Sequence, residues 1–349
     1  MQSSMGALLG AHSRGALSRC IKPSIRPFSS THACKIQVPK APSTRRQSRP
    51  LNAQGRPDHH SQRREWIEAL IGNRKATIAQ FSLAKKAGAL KIEPEDSIEL
   101  LRSYCNAVAE PGWEIRFCRE HKIDPPTLAM VSRILIKNPV RPLRKMGENM
   151  MVCAATLGDL SSIVAVLNKS LLQGQLHHPG LLIPMTKLKF YANQGNAEAM
   201  VMYGRILDRQ KKHAEAAEMF QKVTETPRDG SVDAEIGNAL VQQGNLCYRD
   251  GKKEDARMSF KKAALEFDNP EGYYKLAFMM PDQDPLKETY LLKAAASRIR
   301  DAVVEVAALY SRTAELQASS EEGKQARHLA DEWQKLASHQ APTISGIAT

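Results

Sequence analysis

The sequence predicts an all-α protein made largely of stacked helix hairpins, on three observations. Residues 194–223 (QGNAEAMVMYGRILDRQKKHAEAAEMFQKV) match residues 234–263 (AEIGNALVQQGNLCYRDGKKEDARMSFKKA) at a constant offset of forty, so that Val201 falls on Val241, Gly204 on Gly244, Arg209 on Arg249, Ala216 on Ala256, Phe220 on Phe260 and Lys222 on Lys262. From Arg63 onward apolar residues recur at helical spacings between Pro and Gly punctuation. No run alternates apolar and polar residues for long enough to nucleate a sheet. A ladder of matched side-chain sizes marks a stacked repeat, because one helix pair cannot bury its apolar face alone.

The ladder has steric content. Gly204 and Gly244 sit inside helical patterns, where glycine costs ~1 kcal/mol against alanine, so their expected value is close approach of a second helix. Ala216 and Ala256 do the same from the other helix. Phe220 and Phe260, four residues on, share a helix face with those alanines and are expected to fill the space between pairs.

Residues 1–57 hold ten Lys and Arg and no acidic residue before Asp58, with abundant Ser and Ala. That is the composition of a mitochondrial presequence, and a cationic leader is drawn toward a negative-inside membrane by ~2.3 kcal/mol per charge per 100 mV. The segment Arg26-Pro27-Phe28-Ser29-Ser30-Thr31 resembles the processing signal of matrix precursors, which implies a leader of residues 1–35. The competing reading is a basic arm of a protein elsewhere in the cell. Residues 36–62 are rich in Pro, Arg, Ser, Gln and Asn and are expected to be a disordered basic linker.

Residues 63–142 read as a smaller helical module. Trp66, Leu70, Ile78, Phe81 and Leu83 place one helix before Gly88, and Pro94-Glu95-Asp96 opens a second whose acidic turn complements the helix dipole. Prolines 111, 125, 126, 139 and 142 punctuate the rest. Residues 143–173 form a helix pair turned at Gly158-Asp159, and the repeat array is expected over 143–338, with a disordered tail at 339–349.

On these residues the chain resembles the tetratricopeptide and Sel1-like family. GNAEAM with Gly204 and then AEAAEMFQKV look like one Sel1-type unit, and GNLCYRDGKKEDARMSFKKA like the next. The resemblance covers about residues 190–265, and degenerate copies extend it; in the third unit Ala277 stands where the glycine is expected. It implies an α-solenoid whose first helices line a groove for a protein segment.

Charge divides the chain: residues 1–57 carry +10, residues 58–189 have 19 basic against 13 acidic side chains, and residues 190–349 have 21 against 24. A mildly acidic array argues against nucleic acid on the repeats, since phosphate binding needs Lys and Arg. If RNA binds, the expected place is the helical module, at Arg63, Arg64, Arg74, Lys75, Lys85 and Lys86. No apolar run approaches the ~18 to 20 residues of a membrane span.

The six cysteines show no C-x-x-C pairing, and the four outside the leader have apolar neighbours, so reduced core thiols are expected. The adjacent histidines 59–60 and 177–178 supply too few ligands for a metal, and nucleotide, hydrolase and metalloprotease motifs are missing. No cofactor, metal or catalytic residue is expected. Arg209 and Arg249 are repeat equivalents, and with Arg205, Asn245 and Tyr248 they form the candidate partner-binding set, a ladder of planar forks suited to an acidic or C-terminal peptide. The alternative is that both arginines merely stabilise helix C-termini. Together these features predict a non-catalytic mitochondrial matrix adaptor or assembly factor, in respiratory-complex assembly or mitochondrial translation, with an organellar RNA-binding repeat protein as the rival.

Overall fold

The computed structural model describes residues 59–107, 113–227 and 230–339. The expected leader, most of the linker, Cys20, Cys34 and the tail beyond His339 lie outside the described residues. Among those described there are sixteen α-helices and no strand.

The first six helices are α1 (His59–Gly72), α2 (Arg74–Lys86), α3 (Pro94–Ala107), α4 (Trp113–Glu120), α5 (Pro125–Ile136) and α6 (Arg141–Leu157). They bury one core around Trp66, Phe81, Leu101, Tyr104, Phe117, Leu128 and Met146. The Tyr104 ring meets Trp113 and Phe117 edge-on at centroid distances of 5.2 and 5.6 Å, an arrangement the ring quadrupole favours. Asp124 caps α5 by accepting from the Thr127 N–H at 3.1 Å, and Pro125 and Pro126 occupy positions where no N–H is needed. Arg63 donates to the carbonyls of Cys105 and Asn106 at 2.6 and 3.0 Å, satisfying the otherwise open end of α3. A side-chain pair joins α2 to the end of α5: Asn138 donates to Gln80 at 2.8 Å, and Gln80 donates to the Ile134 carbonyl at 2.7 Å.

Four expectations change here. The single helix expected before Gly88 is two, broken at Asn73, whose side-chain amide donates to the Ala69 carbonyl at 2.9 Å and so ends α1. Leu83 is consequently 69% exposed instead of buried. Helix begins at His59, inside the segment expected to be linker, and at the other end it runs through His339. Finally, α6 packs more extensively against α5 than against its expected partner α7 (Leu160–Leu172). Gly147 makes this possible: a Cβ there would lie 2.7 Å from the Leu135 Cβ and 2.9 Å from the Ile136 nitrogen.

A second core continues from α6. After α7, a 3-10 turn at Pro179–Leu181 leads into α8 (Leu182–Asn193). Then come α9 (Ala197–Arg209), α10 (His213–Thr224), α11 (Asp233–Arg249), α12 (Lys253–Phe267), α13 (Pro270–Phe278), α14 (Pro285–Ala296), α15 (Arg300–Leu316) and α16 (Glu321–His339). Each odd-numbered helix from α9 packs closely on the even-numbered helix that follows, and α7, α9, α11 and α13 also touch in succession along one row.

The forty-residue ladder becomes a repeated contact. A Cβ on Gly204 would lie 2.5 Å from the Phe220 ring, and one on Gly244 the same distance from the Phe260 ring. Ala216, Ala256 and both rings are essentially solvent-free. The phenylalanines therefore fill the inside of each hairpin, against its own glycine, where the sequence suggested the space between hairpins. In the third pair Ala277 is fully buried, and the close glycine is Gly272, whose added Cβ would meet the Ala264 nitrogen at 2.9 Å.

Gly204→Ala and Gly244→Ala gain ~1 kcal/mol of helix propensity but overpack the ring by ~1–3 kcal/mol, so each is expected to lower stability in urea unfolding. In a Phe220→Leu background the clash is relieved and Gly204→Ala should become neutral or stabilising. A loss of the same size in both backgrounds would show that the ring is not what the glycine accommodates.

Candidate functional site

Three of the odd-numbered helices open alike. Asp159, Asn196 and Asn269 cap α7, α9 and α13, each side chain accepting from the backbone N–H three residues on at 2.8–3.0 Å. Behind the caps, first turns carry acids that complement the helix dipole: Glu198 on α9, Asp233 and Glu235 on α11, Glu271 on α13 and Asp301 on α15. The even-numbered helices also open with acids, including Glu215, Glu254, Asp255, Glu288 and Glu321. The difference is depth. All of those on even-numbered helices are exposed, whereas Asp159, Glu198, Asp233, Glu235, Glu271 and Asp301 are all half-buried.

These recessed carboxylates act on one another across hairpins. Burial, then the neighbouring Glu235 and, more weakly, Asp159, push the Glu198 carboxyl above its ordinary value, with Arg133 opposing. On α13, burial pushes the Tyr274 phenol up to about 12, helped by Asp301 and Glu305. Burial lowers the Lys275 ammonium against the pull of Glu271 and Asp301, and lowers the Arg205 guanidinium against that of Glu271. None of the six carboxylates forms an ion pair among the described residues, and Asp233 Oδ1 and Glu235 Oε2 are buried without a hydrogen-bond partner. Charges held out of water and left unpaired are costly, unlike those on a freely solvated helix.

The sequence-derived candidates divide. Arg205 is half-buried on this face, and Asn245 is half-buried on α11. Arg209, Tyr248 and Arg249 are exposed at the C-terminal ends of α9 and α11. The two arginines differ in surroundings: the Arg249 fork reaches back to Asp208 at 2.6 and 3.4 Å, joining adjacent hairpins, and Asp208 also meets His213 Nδ1 at 2.8 Å. Of the basic residues proposed for RNA, Arg63 is committed to carbonyls, Arg64 pairs with Glu68 and Lys85 with Glu93, while Arg74, Lys75 and Lys86 are exposed.

Cys105, Cys118 and Cys153 are buried and Cys247 half-buried, none of them in a disulfide, and burial raises the Cys105 thiol to about 11. His178 uses Nδ1 to accept from the Gly180 N–H at 3.1 Å, a turn contact. Among the described residues no three His, Cys, Asp or Glu side chains are placed to hold a metal, and no helix is long and apolar enough to cross a membrane. A cleft of about 300 Å³ lined by Trp66, Tyr104, Trp113, Asn149, Cys153 and His178 lies beside the first core.

Sequence reasoning missed the recessed acids, because each alone is an ordinary first-turn residue. First-turn acids recur in both helices of every pair from α9 onward, so nothing in the sequence separated the recessed set from the exposed one. No family model, no curated protein and no solved structure matches the chain. The fold itself defines a class: an all-helical protein of adjacently packed pairs with a recessed charged face along its odd-numbered helices.

Two outcomes follow from the electrostatics. A carboxyl whose folded pKa is raised binds its proton more tightly in the folded protein, so Glu198 costs stability as pH rises through its titration. Glu198→Gln should therefore raise the melting temperature at pH 7, and the gain should vanish below about pH 4. Arg249→Ala should cost at most ~1 kcal/mol, since both partners in its ion pair are substantially exposed; urea titration checks it, and a larger loss would make the pair a main inter-hairpin tie.

Proposed function

We propose that the chain is a non-catalytic adaptor of the tetratricopeptide and Sel1-like kind, acting in the mitochondrial matrix, which holds a segment of a partner protein along the face of its odd-numbered helices. The observation that supports this reading most is the row of recessed, unpaired charges on α7, α9, α11, α13 and α15. Buried polar atoms are normally satisfied within the molecule; here Asp233 Oδ1 and Glu235 Oε2 on α11 and Arg300 Nε on α15 are buried without a partner, and a face that leaves them open offers them to another chain. Side-by-side helices also supply what a segment needs, namely polar contacts for register and apolar flanks for affinity. The compartment rests on the basic, acid-free composition of residues 1–57 and the likeness of residues 26–31 to a matrix processing signal. The lack of catalytic and nucleotide-binding motifs in the sequence supports an adaptor over an enzyme.

The test is cross-linking mass spectrometry on the full chain expressed in mitochondria. Partner cross-links should concentrate on α9, α11 and α13 rather than on α10, α12 and α14. Cross-links confined to the even-numbered helices, or to RNA, would defeat the reading, and failure of residues 1–40 to carry a reporter into mitochondria would defeat the compartment.

A further inference from the structure

Resting on the adaptor reading, the chemistry of the face narrows the partner. We propose that the face of the odd-numbered helices takes a basic segment of a partner protein, an extended stretch whose Lys or Arg side chains meet the recessed carboxylates of successive hairpins. This departs from the acidic peptide that the arginine ladder suggested, and the reason is the count and placement of charge.

Along the face stand Asp159, Glu198, Asp233, Glu235, Glu271 and Asp301, all half-buried and none in an ion pair among the described residues. The cations are fewer: Arg205, Lys275 and Arg300 on α9, α13 and α15, with Arg300 Nε also buried without a partner, and Arg133 of α5 opposite Glu198, all half-buried as well. Of the ladder arginines, Arg249 is already held by Asp208 and Arg209 points from an exposed helix end. Helix dipoles account for acids in first turns but not for their depth, because the first-turn acids Glu215, Glu254, Asp255, Glu288 and Glu321 of the even-numbered helices serve the same dipoles while exposed; among the caps, Asp284 of α14 is half-buried like Asp159. Depth without a partner costs free energy, and a guanidinium or ammonium supplies what is lacking. Asp233 Oδ1 and Glu235 Oε2 are buried acceptors with nothing donating to them, and the Glu198 carboxyl is crowded by Glu235 and Asp159. A multi-donor cation satisfies such oxygens and relieves the crowding at once.

The geometry also sets a length. Helices α7, α9, α11 and α13, in contact along one row, cover roughly 30 Å at ~10 Å per helix, which an extended chain spans in about ten residues at ~3.3 Å each. One cation about every third residue then matches one carboxylate site per hairpin.

The experiment titrates the full-length chain with a fluorescent peptide of about twelve residues carrying Lys at every third position, a length taken from the extended-chain spacing, and reads anisotropy. The lysine peptide should bind, the same peptide with Glu should not, and added salt should weaken the complex. Glu198→Gln, Glu235→Gln and Glu271→Gln together should weaken binding at least tenfold with the circular dichroism unchanged. The matched control, Glu215→Gln, Glu254→Gln and Glu321→Gln on even-numbered helices, should leave binding as it was. Equal weakening by both sets, no binding of the lysine peptide, or preference for the glutamate peptide or for an RNA oligomer would each overturn the proposal. Partner cross-linking separates this from the reading beneath it. A mitochondrial partner still cross-linked to α9 and α11 in the triple glutamine variant would sink the basic-segment chemistry and leave the adaptor standing, whereas a face that captures no partner in either protein would remove both.

Discussion

The packing of a phenylalanine ring onto a bare stretch of helix backbone is the contact on which the array depends. At Gly204 and Gly244 a single methyl group would intrude to 2.5 Å on the ring of Phe220 or Phe260. That tolerance fixes how closely the two helices of a pair lie, and hence where the following helix begins. Large, rigid and fully buried, each ring contributes ~3–5 kcal/mol by the usual cost of its removal, a large share of the stability of any one hairpin. The same logic appears with different residues, at Gly147 against the Leu135 Cβ and the backbone beside it, and at Gly272 against the Ala264 backbone.

Close packing inside hairpins determines what remains outside them. Each odd-numbered helix is held by its even-numbered partner on one side and by its neighbours in the row on another, so its first turn is partly covered while its acids remain. An acid at a helix start is favourable locally and costs little when solvated. Half-covered and placed near the acids of the next hairpins, it becomes part of a shared field, which is why Glu198 responds to Glu235 and Asp159, and Lys275 to both Glu271 and Asp301. A partner that brings cations to such a face is repaid in charge-assisted hydrogen bonds as well as in register.

Much of the fold was legible from residue types. The all-helical class followed from periodicity, and the packing set of Gly204, Ala216, Phe220, Gly244, Ala256 and Phe260 from the forty-residue offset, because size recurs in sequence whenever a contact recurs in space. Helix limits were less legible: the break at Asn73 depends on a side-chain amide reaching the Ala69 carbonyl, and the pairing of α5 with α6 on a glycine that has no repeat partner. The candidate site was the least legible part. Arg205 was named on residue type and spacing, but the other two arginines of the set, at the helix ends, have other surroundings, Arg249 being held by an aspartate forty-one positions earlier.

The chain's linear pattern was enough for the helical class, the repeated steric ladder, the division of charge between a basic N-terminal segment and a mildly acidic array, and the residues able to form a charged face. These are properties of local spacing and composition, which a linear chain displays directly. Only the tertiary structure decided which phenylalanine faces which glycine, which arginine is already engaged, and which acids are recessed while chemically identical ones stay in water. Depth and partnership are set by neighbours distant in sequence, and no residue carries that information before the helices pack.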